Sequence, residues 1–261
     1  MGLFGFNKVQ KQAQAPSYAA LRRNILNQNS SFYVRESYKS LRTNIRFFQA
    51  GEGCRRFCIT SSLAGEGKSI TLLNLAITFA EAGQRVLLID ADLRRPSQAR
   101  LLIERAAPGL SNVLAGHCGE DEAIRKSAYP NLDVLFSGEI PPNPSELLGS
   151  PRMKKLIDRL SEYYDYILVD APPVGIVTDA CVVARYLDGM LFLVRQSKAE
   201  KETLSRCLRQ IKNADVRLMG FVLNGAQGES GSQYKYSYRN KNKYSYESAV
   251  KPSKGNKQYG K

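Results

Sequence analysis

One histidine and five cysteines in 261 residues leave little material for several kinds of chemistry. The cysteines, Cys54, Cys58, Cys118, Cys181 and Cys207, are odd in number and include no Cys-x-x-Cys pair. Cys54 and Cys58 also lack a second ligand pair at zinc-finger spacing, so the thiols read as reduced and structural. The histidine, His117, lies beside Cys118 in a loop flanked by Gly116 and Gly119, which argues against histidine-based hydrolysis. No apolar stretch approaches the roughly 20 residues needed to span a bilayer, and the N-terminus lacks the apolar core of a secretory signal. Met1-Gly2 has the look of an acylation start, but Phe6 stands where serine or threonine is expected. These absences lead to the expectation of a cytoplasmic protein.

Positive charge, by contrast, is abundant. Lysine and arginine number 38 against 24 aspartates and glutamates, a formal net charge of +14. Such a balance points to nucleic acid, anionic lipid or an acidic partner. Much of it sits after Gly225, where Lys235, Arg239, Lys241, Lys243, Lys251, Lys254, Lys257 and Lys261 face only Glu229 and Glu247. That segment is almost without aliphatic residues and cannot bury enough apolar surface to order itself, so 226–261 is expected to be a flexible tail. With 43% apolar residues the remainder can bury one substantial core. The expected organisation is a loosely ordered lead-in at 1–31, with a short helix at Tyr18–Leu26, then one catalytic domain at 32–225, then the tail.

Within the domain, Tyr38, Leu41, Ile45 and Phe48 recur at helical spacing and predict an amphipathic helix over Phe32–Phe48. From Phe57 strand and helix alternate. Strands are expected at Phe57–Thr60, Val86–Asp90, Asp133–Phe136, Tyr166–Asp170, Met190–Val194 and Leu218–Leu223. Helices are expected at Lys68–Glu81, Arg152–Glu162, Cys181–Tyr186 and Glu200–Asn213. Strands that are nearly continuous apolar runs separated by helices indicate an α/β fold, a three-layer sandwich with a mostly parallel central sheet covered on both faces.

Three of these strands end in nucleotide chemistry. After the first, the chain reads Ser62-Leu-Ala-Gly-Glu-Gly-Lys68-Ser69. Between a strand and a helix start, such glycines let backbone amides wrap phosphates, with Lys68 supplying charge and Ser69 a hydroxyl for Mg²⁺. The usual first glycine of the pattern is Ser62 here. Ile167-Leu-Val ends in Asp170 before Ala171-Pro172-Pro173; the aspartate suits metal support or, alternatively, a turn. Leu87-Leu-Ile ends in Asp90-Ala-Asp92-Leu-Arg94, where residues at i and i+2 of an extended chain share one side. Ion pairing with Arg94, Arg95 or Arg100 is the alternative use of those acids. Two acids near one metal suit a division in which one helps to hold Mg²⁺ and the other accepts a proton from an attacking hydroxyl.

This set of three motifs resembles the Walker A, A′ and B motifs of the bacterial tyrosine kinases that control capsule and exopolysaccharide synthesis. Ser137-Gly-Glu-Ile-Pro-Pro-Asn-Pro-Ser-Glu-Leu-Leu148 and the tyrosine-rich end resemble the family as well, and the likeness spans about residues 32–246. The resemblance implies a P-loop NTPase fold using ATP and Mg²⁺. Nucleotide would be held at Ala64, Gly65, Glu66, Gly67, Lys68, Ser69 and Ile70, with Asn224 either contacting the base or serving as a turn residue. Ser69, Asp92 and Asp170 would serve the metal, with Lys68, Asp90 and Asp92 acting in catalysis and Asp90 taking the tyrosine proton. The family's Glu-x-x-Arg-x-x-Arg oligomerisation motif corresponds to Glu36, Lys39 and Arg42, and Lys39 keeps the charge of arginine without its planar fork.

In that setting Tyr234, Tyr236, Tyr238, Tyr244 and Tyr246 become candidate autophosphorylation sites, modified in trans within a ring-like homo-oligomer. Taken alone, a basic aromatic tail also suits single-stranded nucleic acid, but the kinase context makes nucleic acid unlikely as a partner. The resemblance further implies a membrane-spanning activator of the polysaccharide export system, which would hold the kinase at the inner face of the membrane. Protein tyrosine substrates and a cognate tyrosine phosphatase would complete the set of partners. The competing reading is a positioning or partition ATPase of the MinD or ParA type. Those proteins carry a second lysine early in the P-loop, and Ser62-Leu63-Ala64 has none.

Overall fold

The computed structural model describes residues 17–48, 53–196, 198 and 200–226. The chain divides after Asn224, and every element named below belongs to the first unit, Met1–Asn224. Seven strands form one sheet among the described residues. They are β1 (Arg55–Ser61), β2 (Val86–Asp90), β3 (Ile124–Lys126), β4 (Leu132–Leu135), β5 (Tyr166–Asp170), β6 (Gly189–Arg195) and β7 (Leu218–Asn224). Their order is β3-β4-β2-β5-β1-β6-β7, and all neighbours pair parallel except β3, which runs antiparallel to β4.

The apolar runs have a direct structural reason. Every residue of β2 and β5 is buried because helices cover both faces of the sheet. Alternation then sends Leu87, Ile89, Ile167 and Val169 to one core and Val86, Leu88, Tyr166 and Leu168 to the other. The first core is completed by α5 (Leu110–Ala115), α6 (Glu120–Ala123), α7 (Pro144–Leu148), α8 (Pro151–Leu160), α9 (Asp179–Ala184) and α10 (Lys201–Asn213). The second is completed by α1 (Tyr18–Arg22), α2 (Phe32–Phe48), α3 (Lys68–Glu81) and α4 (Gln98–Leu102). The sandwich expected from the sequence is therefore present.

Helix α3 is the element around which the second face is built. Of its 14 residues 11 are buried, the polar Thr71, Asn74 and Thr78 among them, so the sheet alone cannot cover it. Residues 17–48 supply the outer cover. Leu26 donates its amide to Asn74 Oδ1 at 2.8 Å, Asn74 Nδ2 donates to the Asn24 carbonyl at 2.9 Å, and the same nitrogen reaches Tyr38 Oη at 3.2 Å. Arg42 Nη1 donates to the Thr78 carbonyl at 2.5 Å. This corrects the expectation of a loose lead-in over the described part of 1–31: Ile25 and Leu26 are core residues, and the helix at Tyr18 stops at Arg22 so that the chain can turn them inward. Residues 1–16 lie outside the described part.

The sequence pattern does not predict the edge strand β3 or the short helices α4 to α7. A three-residue strand bearing Arg125 and Lys126 has no alternation long enough to read, and its charges suit a sheet edge. The other boundaries move by a residue or two where caps decide them. Helix α8 begins at Pro151, where Ser150 accepts from the Met153 amide.

Candidate nucleotide and phosphoryl-transfer site

Strand order changes direction around β1: the crossover through α3 leads to β2 on one side, while the connection from β5 leads across β1 to β6. Ligands in open α/β sheets bind outside the carboxyl ends of the strands at such a point. The turn after β1 carries Gly65 at φ +77° and Gly67 at φ +100°. Gly67 is constrained twice, since a Cβ there would also lie 2.3 Å from Asn224 Nδ2. Asn224, at the end of β7, donates that nitrogen to the Glu66 carbonyl at 2.8 Å and so braces the loop. Glu66 is buried, and its Oε2 accepts from the Leu63 amide at 2.9 Å, closing the loop on itself. Arg195 reaches the Gly65 carbonyl at 3.3 Å. Helix α3 starts at Lys68, and the first amides of an α-helix have no partner within the helix. Ala64, Gly65, Glu66, Gly67, Lys68, Ser69 and Ile70 thus form one continuous turn into a helix N-terminus, the arrangement that suits phosphate.

The acids arrive by strand register. Asp90 pairs across the ladder with Asp170, and Ile59 pairs with Asp170 on its other side. Lys68 Nζ lies between the motifs, donating to Asp92 Oδ2 and Asp170 Oδ1 at 3.0 Å each and to Ser69 Oγ at 3.3 Å. Burial works to lower the proton affinity of Lys68, but Asp170 and then Asp92 outweigh it and raise it well above the ordinary lysine value. Asp90 is fully buried, and burial together with the charge of Asp170 pushes it up to about 7. Hydrogen bonds act against that rise. Asp90 Oδ2 accepts the Ser97 and Gln98 amides at 3.1 and 3.0 Å, and Oδ1 accepts the Asp92 amide at 3.3 Å. Asp90 is the deeper of the two A′ carboxylates, and Asp92 is the one that faces Lys68.

Two further groups bind this site together without belonging to the expected set. Gln98 Nε2 donates to Asp170 Oδ2 at 2.8 Å and to the Ser69 carbonyl at 3.1 Å. Arg94 makes a two-point pair with the buried Asp179, Nε to Oδ2 at 2.8 Å and Nη2 to Oδ1 at 3.3 Å, and Ser145 Oγ donates to the same carboxylate. Arg94 therefore ties the A′ loop to α9 and, through Ser145, to the segment 137–148. Of the arginines in the alternative reading, Arg94 pairs with Asp179 of α9 rather than with Asp90 or Asp92, and Arg100 reaches Tyr18 Oη at 3.4 Å. Nothing in sequence spacing marks residue 179 as the partner of Arg94.

Glu36 and Lys39 pair at 2.8 Å on the exposed side of α2, whereas Arg42 is turned toward α3. His117 is exposed in the loop after α5, away from the acids. The five cysteines are free, and burial raises the Cys58 thiol far above its ordinary value and pushes that of Cys54 up to about 11. The tyrosines from Tyr234 to Tyr246 lie outside the described residues. No helix among the described residues is long and apolar enough to cross a membrane.

The groups present fit a Mg²⁺ nucleotide. The loop offers amides at two left-handed glycines and a helix start, and a lysine, a hydroxyl and carboxylates converge beside it. No three histidine, cysteine, aspartate or glutamate side chains form a self-sufficient metal cage among the described residues. Mg²⁺ needs none, since it is commonly held by one or two carboxylates together with phosphate oxygens and water.

A phosphate-binding turn between β1 and α3, with acids at the ends of neighbouring parallel strands, defines a P-loop nucleotide-binding protein. A family model described as an AAA domain matches residues 55–218. Tyrosine-protein kinase YwqD of Bacillus subtilis is 38% identical over 77% of this chain and 85% of its own. The putative tyrosine-protein kinase CapB of Staphylococcus aureus is 34% identical over 78% of this chain and 90% of its own. Among solved structures, the kinase domain of Escherichia coli tyrosine kinase ETK superposes with a TM-score of 0.74 at 30% identity, covering 87% of this chain and 88% of that one. The chain belongs to the bacterial tyrosine-protein kinases. Likeness to the septum site-determining protein MinD of Pyrococcus horikoshii, at 24% identity and a TM-score of 0.55, concerns the fold alone.

Proposed function

We propose that this tyrosine kinase uses ATP and Mg²⁺ to phosphorylate the tyrosines of its own C-terminal segment on a neighbouring copy. By this reading it thereby regulates capsular or exopolysaccharide synthesis and export. The observation that carries the reading is the meeting of Lys68, Asp90, Asp92 and Asp170 at the carboxyl ends of β1, β2 and β5 in a chain whose relatives are named tyrosine kinases. The P-loop from Ala64 to Ile70 would hold the phosphates and Lys68 the transferable one. Asn224, which braces the loop, would lie beside the nucleotide. Ser69, Asp92 and Asp170 would hold Mg²⁺, which supplies neutralisation of the charge on the transferring phosphoryl group.

Asp90 would accept the tyrosine proton, and a proton affinity held near neutrality suits that task. Its oxygens also anchor the A′ loop through three amides, so Asp90→Asn is a better probe than Asp90→Ala, which would leave all three without a partner. Asp90→Asn should lower the rate of transfer by about 10²–10⁴-fold with a much smaller change in nucleotide affinity. Equal losses of both would move Asp90 into the metal's support.

Glu36, Lys39 and Arg42 would contribute to a homo-oligomeric interface. A membrane-spanning activator would place the kinase at the cytoplasmic face of the membrane, and a tyrosine phosphatase would reverse the modification. The test of transfer between copies mixes a Lys68→Met chain bearing its C-terminal segment with an active chain truncated before residue 226. Phosphate on the Lys68→Met chain is expected at Tyr234, Tyr236, Tyr238, Tyr244 and Tyr246. An unlabelled mixture, while full-length protein labels itself, overturns transfer in trans.

A further inference from the structure

Gln98 lies outside all three motifs and touches each of them. It is fully buried. Its Nε2 bridges Asp170 Oδ2, in the B motif, and the carbonyl of Ser69, in the P-loop, at 2.8 and 3.1 Å. Its backbone amide, at the first position of α4, donates to Asp90 Oδ2 of the A′ motif at 3.0 Å. Both groups facing the carboxamide on that side are acceptors, which fixes the nitrogen there and assigns the other branch as Oε1. That oxygen is buried without a partner. A buried amide oxygen without a partner costs stability, so packing alone gives no advantage to a glutamine here.

We propose that Gln98 is a positioning residue for the metal·nucleotide: by holding Asp170 Oδ2 it leaves Oδ1 as the oxygen presented to Lys68 and to Mg²⁺. This inference rests on the reading of Asp170 as a metal-supporting carboxylate. A carboxylate free to rotate offers either oxygen, and the ordering has to be supplied when the ligand binds. With one oxygen pinned, that ordering is already made, which is how outer-sphere hydrogen bonds raise metal affinity. The link to the Ser69 carbonyl adds a second constraint, since it sets the separation between the start of α3, which carries the Ser69 hydroxyl, and the end of β5. The three motifs come from separate stretches of chain, and Gln98 is one side chain that spans two of them while its own backbone fastens the third.

The charge of the partner explains why a neutral amide is required. Glutamate at position 98 would set a second carboxylate against Asp170 and an acceptor against the Ser69 carbonyl. Methionine would keep the volume and remove both hydrogen bonds while leaving the backbone amide on Asp90.

The experiment measures binding of a fluorescent ADP analogue to the full-length protein with EDTA and across a Mg²⁺ titration, for wild type, Gln98→Glu and Gln98→Met, alongside thermal melting. Wild type should bind more tightly with Mg²⁺; absence of that gain would refute the metal role of Asp170 itself, independently of Gln98. Given the gain, both variants are expected to need about 10–100-fold more Mg²⁺ for half its effect, while affinity in EDTA changes by less than about twofold. Unchanged Mg²⁺ dependence in either folded variant overturns the proposal. So does a fall in EDTA affinity as large as the fall with Mg²⁺, because that would make Gln98 a support of the P-loop alone. Failure of both variants to fold would likewise replace positioning with a purely structural role.

Discussion

Lys68 is held by Asp92 and Asp170 at 3.0 Å each, and its side chain is only 10% exposed. Removing it leaves two buried carboxylates without their common cation. Lys68→Met should therefore do more than abolish phosphoryl transfer. Breaking a buried pair from one side typically costs about 3–5 kcal/mol, and the urea midpoint of the variant is expected to fall accordingly. A variant as stable as wild type would show that the lysine is solvated in solution and that the acids do not depend on it. The same arrangement explains why Lys68 was easy to identify from sequence and its surroundings were not. Gly67-Lys68-Ser69 is contiguous, whereas the carboxylates that pair with the ammonium come from residues 92 and 170.

The start of β2 meets the start of β5 through Arg85, whose Nη2 and backbone amide donate to the two oxygens of Asp165 at 2.7 and 2.8 Å. The Arg85 side chain, followed by burial acting in the opposite sense, leaves the Asp165 carboxyl below its ordinary value of 3.8. A carboxyl depressed in the folded state binds fewer protons there than in the unfolded chain, so its contribution is present above about pH 4 and fades as pH falls through the folded value. Asp165→Asn should thus destabilise the protein at pH 7 and lose that effect near pH 2, as read from urea unfolding at the two values. A difference that persists at low pH would assign the loss to the backbone contacts instead.

Helix α2 is fastened to α3 by Arg42, and this bears on how an interface is tested. Arg42→Ala removes a bond within the chain and should lower the melting temperature, whereas Lys39→Gln gives up only a surface ion pair with the half-buried Glu36, which contributes little to stability. If α2 carries an interface between copies, Lys39→Gln should shrink the particle seen by light scattering with little change in the melting temperature. An unchanged particle size would remove Lys39 from the interface.

At the scale of the whole molecule, a net charge of +14 makes the C-terminal segment sensitive to modification. Each phosphate adds about −1.5 to −2 charges, so a few modified tyrosines cancel the excess of lysine and arginine around them. In the proposed reading this weakens docking of that segment at a neighbour's acid-lined site and loosens the assembly. Unphosphorylated protein is expected to form the larger species in light scattering, with treatment by a tyrosine phosphatase restoring size after phosphorylation. Equal sizes before and after labelling would separate the modification from assembly.

The sequence by itself determined the layers of this protein and the location of its chemistry. Buried parallel strands must be apolar on both faces, so β2 and β5 announced themselves over their full lengths, and α3 could be bounded at Lys68 and Glu81 because a glycine turn precedes it. Motifs that end strands also had to meet, because parallel strands bring their carboxyl ends to one edge. Only the tertiary structure decided what those ends are bound to. Strand order set Asp90 beside Asp170, and packing over α3 turned the described part of the polar lead-in, residues 17–31, into cover for a helix that is buried on nearly every side. The folding of α4 against the sheet brought Gln98 within hydrogen-bond reach of residues 69, 90 and 170. Periodicity records which side of an element is buried; it does not record which distant side chain buries it. Pairings such as Arg94 with Asp179 therefore depend on the arrangement of whole elements in space.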